Sequence, residues 1–83
     1  MSTIQLKFFA RLREELNTAE LDVPAAQAPD LDALVGWLVN EHPDWKPSLE
    51  APLLRAVNQE MVNGNPALKA GDEVALFPPV TGG

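Results

Sequence analysis

The chain has 83 residues, 46% of them hydrophobic, and a formal net charge of −6 from twelve acids against six bases. A chain of this size builds one modest core and buries roughly 60% of its unfolded surface. The lack of cysteine and the single histidine, His42, exclude disulfides, thiolate catalysis and Cys-based zinc sites. Dispersed negative charge argues against binding a nucleic-acid backbone or an anionic membrane surface and favours a protein partner with a basic face. No run of about 18 apolar residues occurs, and the start of the chain lacks the basic and apolar regions of a signal peptide, so a cytoplasmic protein is expected.

Residues 3–9 alternate, with Ile4, Leu6 and Phe8 on one side and Gln5, Lys7 and Phe9 on the other, as in a half-buried strand. Residues 10–16 place Leu12 and Leu16 at i, i+4 between charged neighbours, which predicts a short helical turn with Arg11 and Arg13 near Glu14 and Glu15. Residues 19–23 alternate again, with Leu21 and Val23 inward, until Pro24 ends the segment. From Leu31 the period lengthens: Leu31, Leu34, Val35 and Leu38 form one apolar stripe, Asp30 is placed to cap the first turn, and Pro43 stops the helix. His42, next to that proline, reads as a helix-end residue, and Trp37 and Trp45 read as packing residues.

Residues 53–57 and 60–62 flank Asn58-Gln59, a two-residue turn candidate because Asn tolerates the left-handed region; Asn63-Gly64 competes with it as the hairpin turn. Gly71-Asp72 then turns into a last strand, residues 73–77. Asp72 and Glu73 are adjacent, so on a strand they face opposite ways and form no catalytic carboxylate pair. One main helix covering one side of about five strands predicts an α+β domain of the β-grasp, ubiquitin-like kind over residues 1–77.

Residues 78–83, Pro-Pro-Val-Thr-Gly-Gly, are expected to project from that domain. Six residues past Phe77 reach roughly 20 Å at about 3.3–3.6 Å each, with Pro78 and Pro79 stiffening the base. Glycine at the last two positions leaves no Cβ to obstruct a narrow channel. A terminal α-carboxyl group on Gly83, with a pKa of about 3.3–3.7, is an anion at neutral pH and resists nucleophilic attack until activated. Ordering the four residues after the prolines costs about 4–8 kcal/mol, so a docking face on the domain is expected to offset it. By strand parity Phe9 and Phe77 lie on the sheet face away from the helix, where Met61 can join them.

Three segments carry a family resemblance: residues 6–11 (Leu-Lys-Phe-Phe-Ala-Arg), 56–59 (Ala-Val-Asn-Gln) and 71–83, which runs from Gly71-Asp72 through Phe77-Pro78-Pro79 to Gly82-Gly83. Together they resemble the small subunits of molybdopterin synthase. The resemblance implies a sulfur carrier whose Gly83 is adenylated by a ubiquitin-activating-like enzyme at the expense of ATP. Gly83 then becomes a thiocarboxylate, enters the large synthase subunit, and gives sulfur to cyclic pyranopterin monophosphate. It further implies a heterotetramer in which two carriers are consumed per product. No tightly bound cofactor or metal is implied, only covalent sulfur on Gly83, with Gly82 giving access. The same resemblance implies contacts from Phe9, Met61, Phe77, Pro78, Pro79, Val80 and Thr81 to the large subunit. A sulfur carrier of thiamine or another thiolation pathway, or a ubiquitin-like protein modifier, is the alternative reading of a Gly-Gly tail.

Overall fold

The computed structural model describes residues 2–79. Five strands form one sheet in the order β2-β1-β5-β3-β4, comprising β1 (Thr3–Phe8), β2 (Glu20–Pro24), β3 (Leu54–Val57), β4 (Glu60–Val62) and β5 (Glu73–Phe77). β1 and β5 run parallel at the centre, and the pairs β1–β2, β5–β3 and β3–β4 are antiparallel. Helices α1 (Ala10–Leu16), α2 (Leu31–Glu41) and α3 (Lys46–Glu50) cover one side, and this is the β-grasp, ubiquitin-like arrangement the sequence predicts.

The alternation in β1 determines which side is covered. Ile4, Leu6 and Phe8 are buried with Val74 and Leu76 of β5, Val23 of β2, and Leu31, Leu34 and Leu38 of α2. Each fully buried side chain of this kind contributes about 1.5–3 kcal/mol of transfer free energy. Asp30 caps α2 as its position suggested: its Oδ1 accepts from the Ala33 N–H at 2.8 Å. The backbone around that cap is tied to a distant loop, because the Leu31 N–H donates to the Pro66 carbonyl and the Leu68 N–H to the Pro29 carbonyl.

Between α2 and β3 the structure adds elements that the periodicity did not signal. Pro43 ends α2 but opens a 3-10 turn, Pro43–Trp45, which runs into α3. Both prolines of this stretch, Pro43 and Pro47, sit in first-turn positions where a missing N–H costs nothing. The turn brings Trp45 into the core, edge-on to Phe8 at 5.7 Å, while His42 stacks on its ring at 3.8 Å. Trp37, by contrast, is only half-buried at the margin of the core. A second 3-10 turn, Ala25–Gln27, follows β2.

The competition between the two hairpin candidates is resolved in favour of Asn58-Gln59. Both residues are left-handed, with φ of 52° and 69°, and Val57 pairs with Glu60 across them. Positive φ at both central positions matches the right-handed twist of a two-residue hairpin. Asn63-Gly64 lies beyond the end of β4, where Gly64 has φ 79° without closing a hairpin.

Candidate functional site

The sheet has one covered face and one open face, and strand register assigns each residue to its side. Ala75 of β5 stands beside Lys7 of β1 and opposite Ala56 of β3, which in turn stands opposite Met61 of β4. Phe77 stands opposite Leu54. These residues alternate with the buried Val74 and Leu76, so they line the face away from the helices.

Phe9 joins this face by one further step. Its N–H donates to the Leu76 carbonyl at 3.3 Å, prolonging the β1–β5 ladder past the end of β1. The chain then turns at once through Ala10, which has φ 55°, into α1. The reversal leaves the Phe9 ring edge-on to Phe77 with centroids 6.3 Å apart. Among the described residues, Phe9 at 45% and Met61 at 58% relative exposure are the exposed large hydrophobic side chains. Phe77 is half-buried and lies between them on the sheet. The structure thus brings Phe9 and Phe77 together and sets Met61 on the same face, two strands from β5.

β5 ends in this apolar zone, and Pro78 and Pro79 lead out of it, half-buried and exposed respectively. Beside them lies a groove of about 180 Å³ lined by Arg11, Leu12, Glu15, Pro52 and Leu53 together with the two prolines. Arg11 pairs with Glu15 at 3.7 Å across its rim, as expected from their i, i+4 spacing. On the other side of Leu53, a wider groove of about 420 Å³ runs along Leu54, Arg55, Met61, Val62 and Gly64. Arg55 spans it, with Nη1 donating to Asp32 Oδ1 at 3.2 Å and to the Gly64 carbonyl at 3.1 Å. Of the residues expected to carry the chemistry or follow it into a partner, Val80, Thr81, Gly82 and Gly83 lie outside the described residues.

Sequence reading missed the device that holds the start of β5. Asp72 is buried, and its carboxylate accepts from Asn58 Nδ2 at 3.1 Å and from the Lys69 N–H at 2.9 Å. Asn58 also accepts from the Glu73 N–H through Oδ1 at 3.0 Å and donates its own N–H to the Glu73 carbonyl at 2.7 Å. The β3–β4 turn is thereby tied to the first residue of the strand that leads to the tail. The Asn58 amide, followed by the Lys69 N–H, holds the Asp72 carboxyl below its ordinary 3.8, outweighing the opposing effect of burial. The available signal was an Asn required at a left-handed turn and an Asp just before a strand, but only their meeting in space gives the pair its role. Asp72 and Glu73 do diverge as strand parity requires, Glu73 pairing with Lys7 at 3.6 Å on the open face.

His42 takes no part in this region, and among the described residues no three His, Cys, Asp or Glu side chains gather as a metal site. No helix of the described residues is long and apolar enough to cross a membrane.

Comparison with known proteins agrees with this architecture. The ThiS family profile matches residues 6–83. The molybdopterin synthase sulfur carrier subunit of Escherichia coli is 44% identical over 81 residues, covering 96% of this chain and 99% of its own length. The corresponding subunit of Haemophilus influenzae is 40% identical with the same coverage, 96% and 99%. Among solved structures, small archaeal modifier protein 1 from Haloferax volcanii has a TM-score of 0.80 at 30% identity, over 98% of this chain and 99% of that one. A chain of the complex between subunits 1 and 2 of the molybdopterin-converting factor from Helicobacter pylori has a TM-score of 0.70 at 26% identity, over 98% and 99%. With the profile running over nearly all of its residues, the chain belongs to the ThiS family, in the company of molybdopterin synthase sulfur carrier subunits.

Proposed function

We propose that this chain is the sulfur-carrying small subunit of molybdopterin synthase. The observation that carries the reading is the 44% identity to the Escherichia coli subunit across nearly the full length of both chains. The geometry supports it, because the strand that leads to the tail ends inside the exposed apolar zone of Phe9 and Phe77. A partner covering that zone receives the tail directly.

The chemistry proposed for Gly83 proceeds in balanced steps on a partner adenylyltransferase. A carboxylate oxygen attacks the α-phosphorus of ATP and pyrophosphate leaves. Sulfide-level sulfur, as hydrosulfide, then attacks the acyl carbon, the C–O bond to AMP breaks, and the thiocarboxylate remains on Gly83. In the large subunit the thiocarboxylate sulfur forms a C–S bond to cyclic pyranopterin monophosphate as an oxygen substituent leaves that carbon. Water then hydrolyses the acyl–sulfur bond, so the carrier returns as the carboxylate. The domain supplies no reacting side chain in this scheme; it supplies a docking face, built around Phe9, Met61 and Phe77, and a stiff base, Pro78 and Pro79, that aims Val80, Thr81, Gly82 and Gly83. In this reading the carrier acts in the cytoplasm, and as a sulfurtransferase only within the complex.

Mass spectrometry of the chain co-expressed with its adenylyltransferase is expected to show one oxygen replaced by sulfur at Gly83. Deleting Gly83 is expected to abolish transfer while leaving the large subunit bound. A wild-type chain that never acquires sulfur, or a deletion that loses the complex, would refute the reading. The likeness to a small archaeal modifier protein favours a second reading, conjugation to other proteins, for which isopeptide adducts between Gly83 and partner lysines are the expected product.

A further inference from the structure

The open face is not uniformly apolar. Register continues its rows outward to the edge strand β2: Lys7 stands opposite Glu20, and Gln5 opposite Asp22. Since Gln5 and Lys7 alternate with the buried Ile4 and Leu6, Glu20 and Asp22 share the open face with Ala75, Met61 and Phe77. Both acids are exposed, and among the described residues neither belongs to an ion pair. The lysine between them and the apolar zone is engaged by Glu73 at 3.6 Å. The face therefore divides into an acidic margin on β2 and an apolar zone on β5, β3 and β4, joined by Phe9 past the end of β1.

We infer that this acidic margin is a second half of the docking surface, and that the protein covering Phe9, Met61 and Phe77 places a basic rim over Glu20 and Asp22. The inference rests on the docking reading proposed above and adds the partner's charge and its orientation on the sheet. Glu20 stands opposite Lys7, whose ammonium is already engaged by Glu73, and Asp22 stands opposite the neutral Gln5, so the margin keeps uncompensated negative charge. Three strand spacings of about 4.8 Å separate β2 from β3, so the margin lies roughly 14 Å from the centre of the apolar zone. That exceeds the Debye length of about 8 Å at physiological ionic strength. The acids consequently act on partner charges brought close to β2, and leave the contacts at Met61 and Phe77 unaltered. Charge complementarity of this kind speeds encounter and sets orientation more than it slows dissociation.

The competing account is that charged side chains guard an edge strand against pairing with another copy. The two separate cleanly in a stopped-flow experiment on association with the large synthase subunit, comparing wild type, Glu20→Gln/Asp22→Asn and Glu20→Lys/Asp22→Lys. Exposed substitutions such as these touch no core contact, so the variants fold. At about 50 mM salt, kon is expected to fall about 3–10-fold on neutralisation and further on reversal, with the difference shrinking below about 2-fold near 0.5 M salt. Met61→Ala is expected to behave oppositely, raising koff with little change in kon. Wild-type rates for both charge variants at low salt overturn the inference, and self-association of the variants with unchanged partner rates assigns the acids to edge protection instead. If the wild-type chain does not bind the large subunit at all, the proposed function itself fails; normal wild-type binding without a charge effect removes only the basic rim.

Discussion

Replacing Asn58 by alanine probes the junction that holds the strand leading to the tail. The substitution removes the donor to Asp72 Oδ1 and the acceptor for the Glu73 N–H, while the backbone bond from residue 58 to the Glu73 carbonyl can persist. A hydrogen bond to a charged group contributes about 1.5–3 kcal/mol and a neutral one about 0.5–1.5, both toward the lower end where water replaces the lost partner, as it does at exposed Asn58. Alanine at φ 52° adds a steric cost of about 1 kcal/mol that asparagine largely escapes. The sum is about 2–3 kcal/mol, or roughly 10–20 °C in Tm for a domain of this size. Asn58→Gly loses the same hydrogen bonds but tolerates the backbone angle, so it is expected to be about 1 kcal/mol less damaging than Asn58→Ala.

The same pair of variants carries a pH signature. Because the folded-state value of Asp72 is depressed, its contribution is present above the unfolded value and lost as pH falls through the folded value. Asn58 is the largest cause of that depression, so the stability gap between wild type and Asn58→Ala narrows as the pH drops below about 4. Urea unfolding at neutral and acid pH, followed by tryptophan fluorescence through the buried Trp45, measures both effects. Equal destabilisation by alanine and glycine would refute the backbone part of the reasoning. A gap that stays constant or widens in acid would refute the electrostatic part.

Phe9→Ala and Met61→Asp are expected to weaken binding to the large subunit by about tenfold or more, the scale of a central interface residue, while Met61→Asp leaves the unfolding midpoint nearly unchanged because its side chain is already exposed. Calorimetric titration checks the first and thermal unfolding the second. Trp45→Ala acts on the opposite face: it removes a buried ring that meets both Phe8 and His42, and about 3–5 kcal/mol of unfolding free energy is expected to go with it. Carrier function then declines through the folded population, so partner affinity per folded molecule should stay at the wild-type level.

Much of the fold is readable along the chain because its signals are local. The alternation of Ile4, Leu6 and Phe8, the helical stripe of Leu31, Leu34 and Leu38, the Asp30 cap and the left-handed tolerance of Asn58 each act within a few residues. The segment from Pro43 to Glu50 was opaque for the converse reason. Its helix is only five residues long and carries a proline in its first turn, so it has no period to detect and exists because Trp45 and Leu49 find a core to enter. Leu21 shows the same limit: parity places it inward with Val23, yet at the sheet edge it stays half-buried, because the helices do not extend over it completely.

The candidate site divides along the same line. Parity alone put Phe9 and Phe77 on the face away from the helices, since a strand has a fixed period of two and one side must be buried. Parity does not say which strands are neighbours, and the order β2-β1-β5-β3-β4 does. That order sets Phe9 against Phe77, carries Met61 onto the same face from the other end of the sheet, and ranges Glu20 and Asp22 along its margin. By itself the sequence determined the kind of domain and its apolar and polar faces, because these follow from local periodicity. Tertiary structure decided which distant residues share a surface and which buried polar groups hold the tail's strand in place, because pairing between strands is a long-range choice made by the whole core.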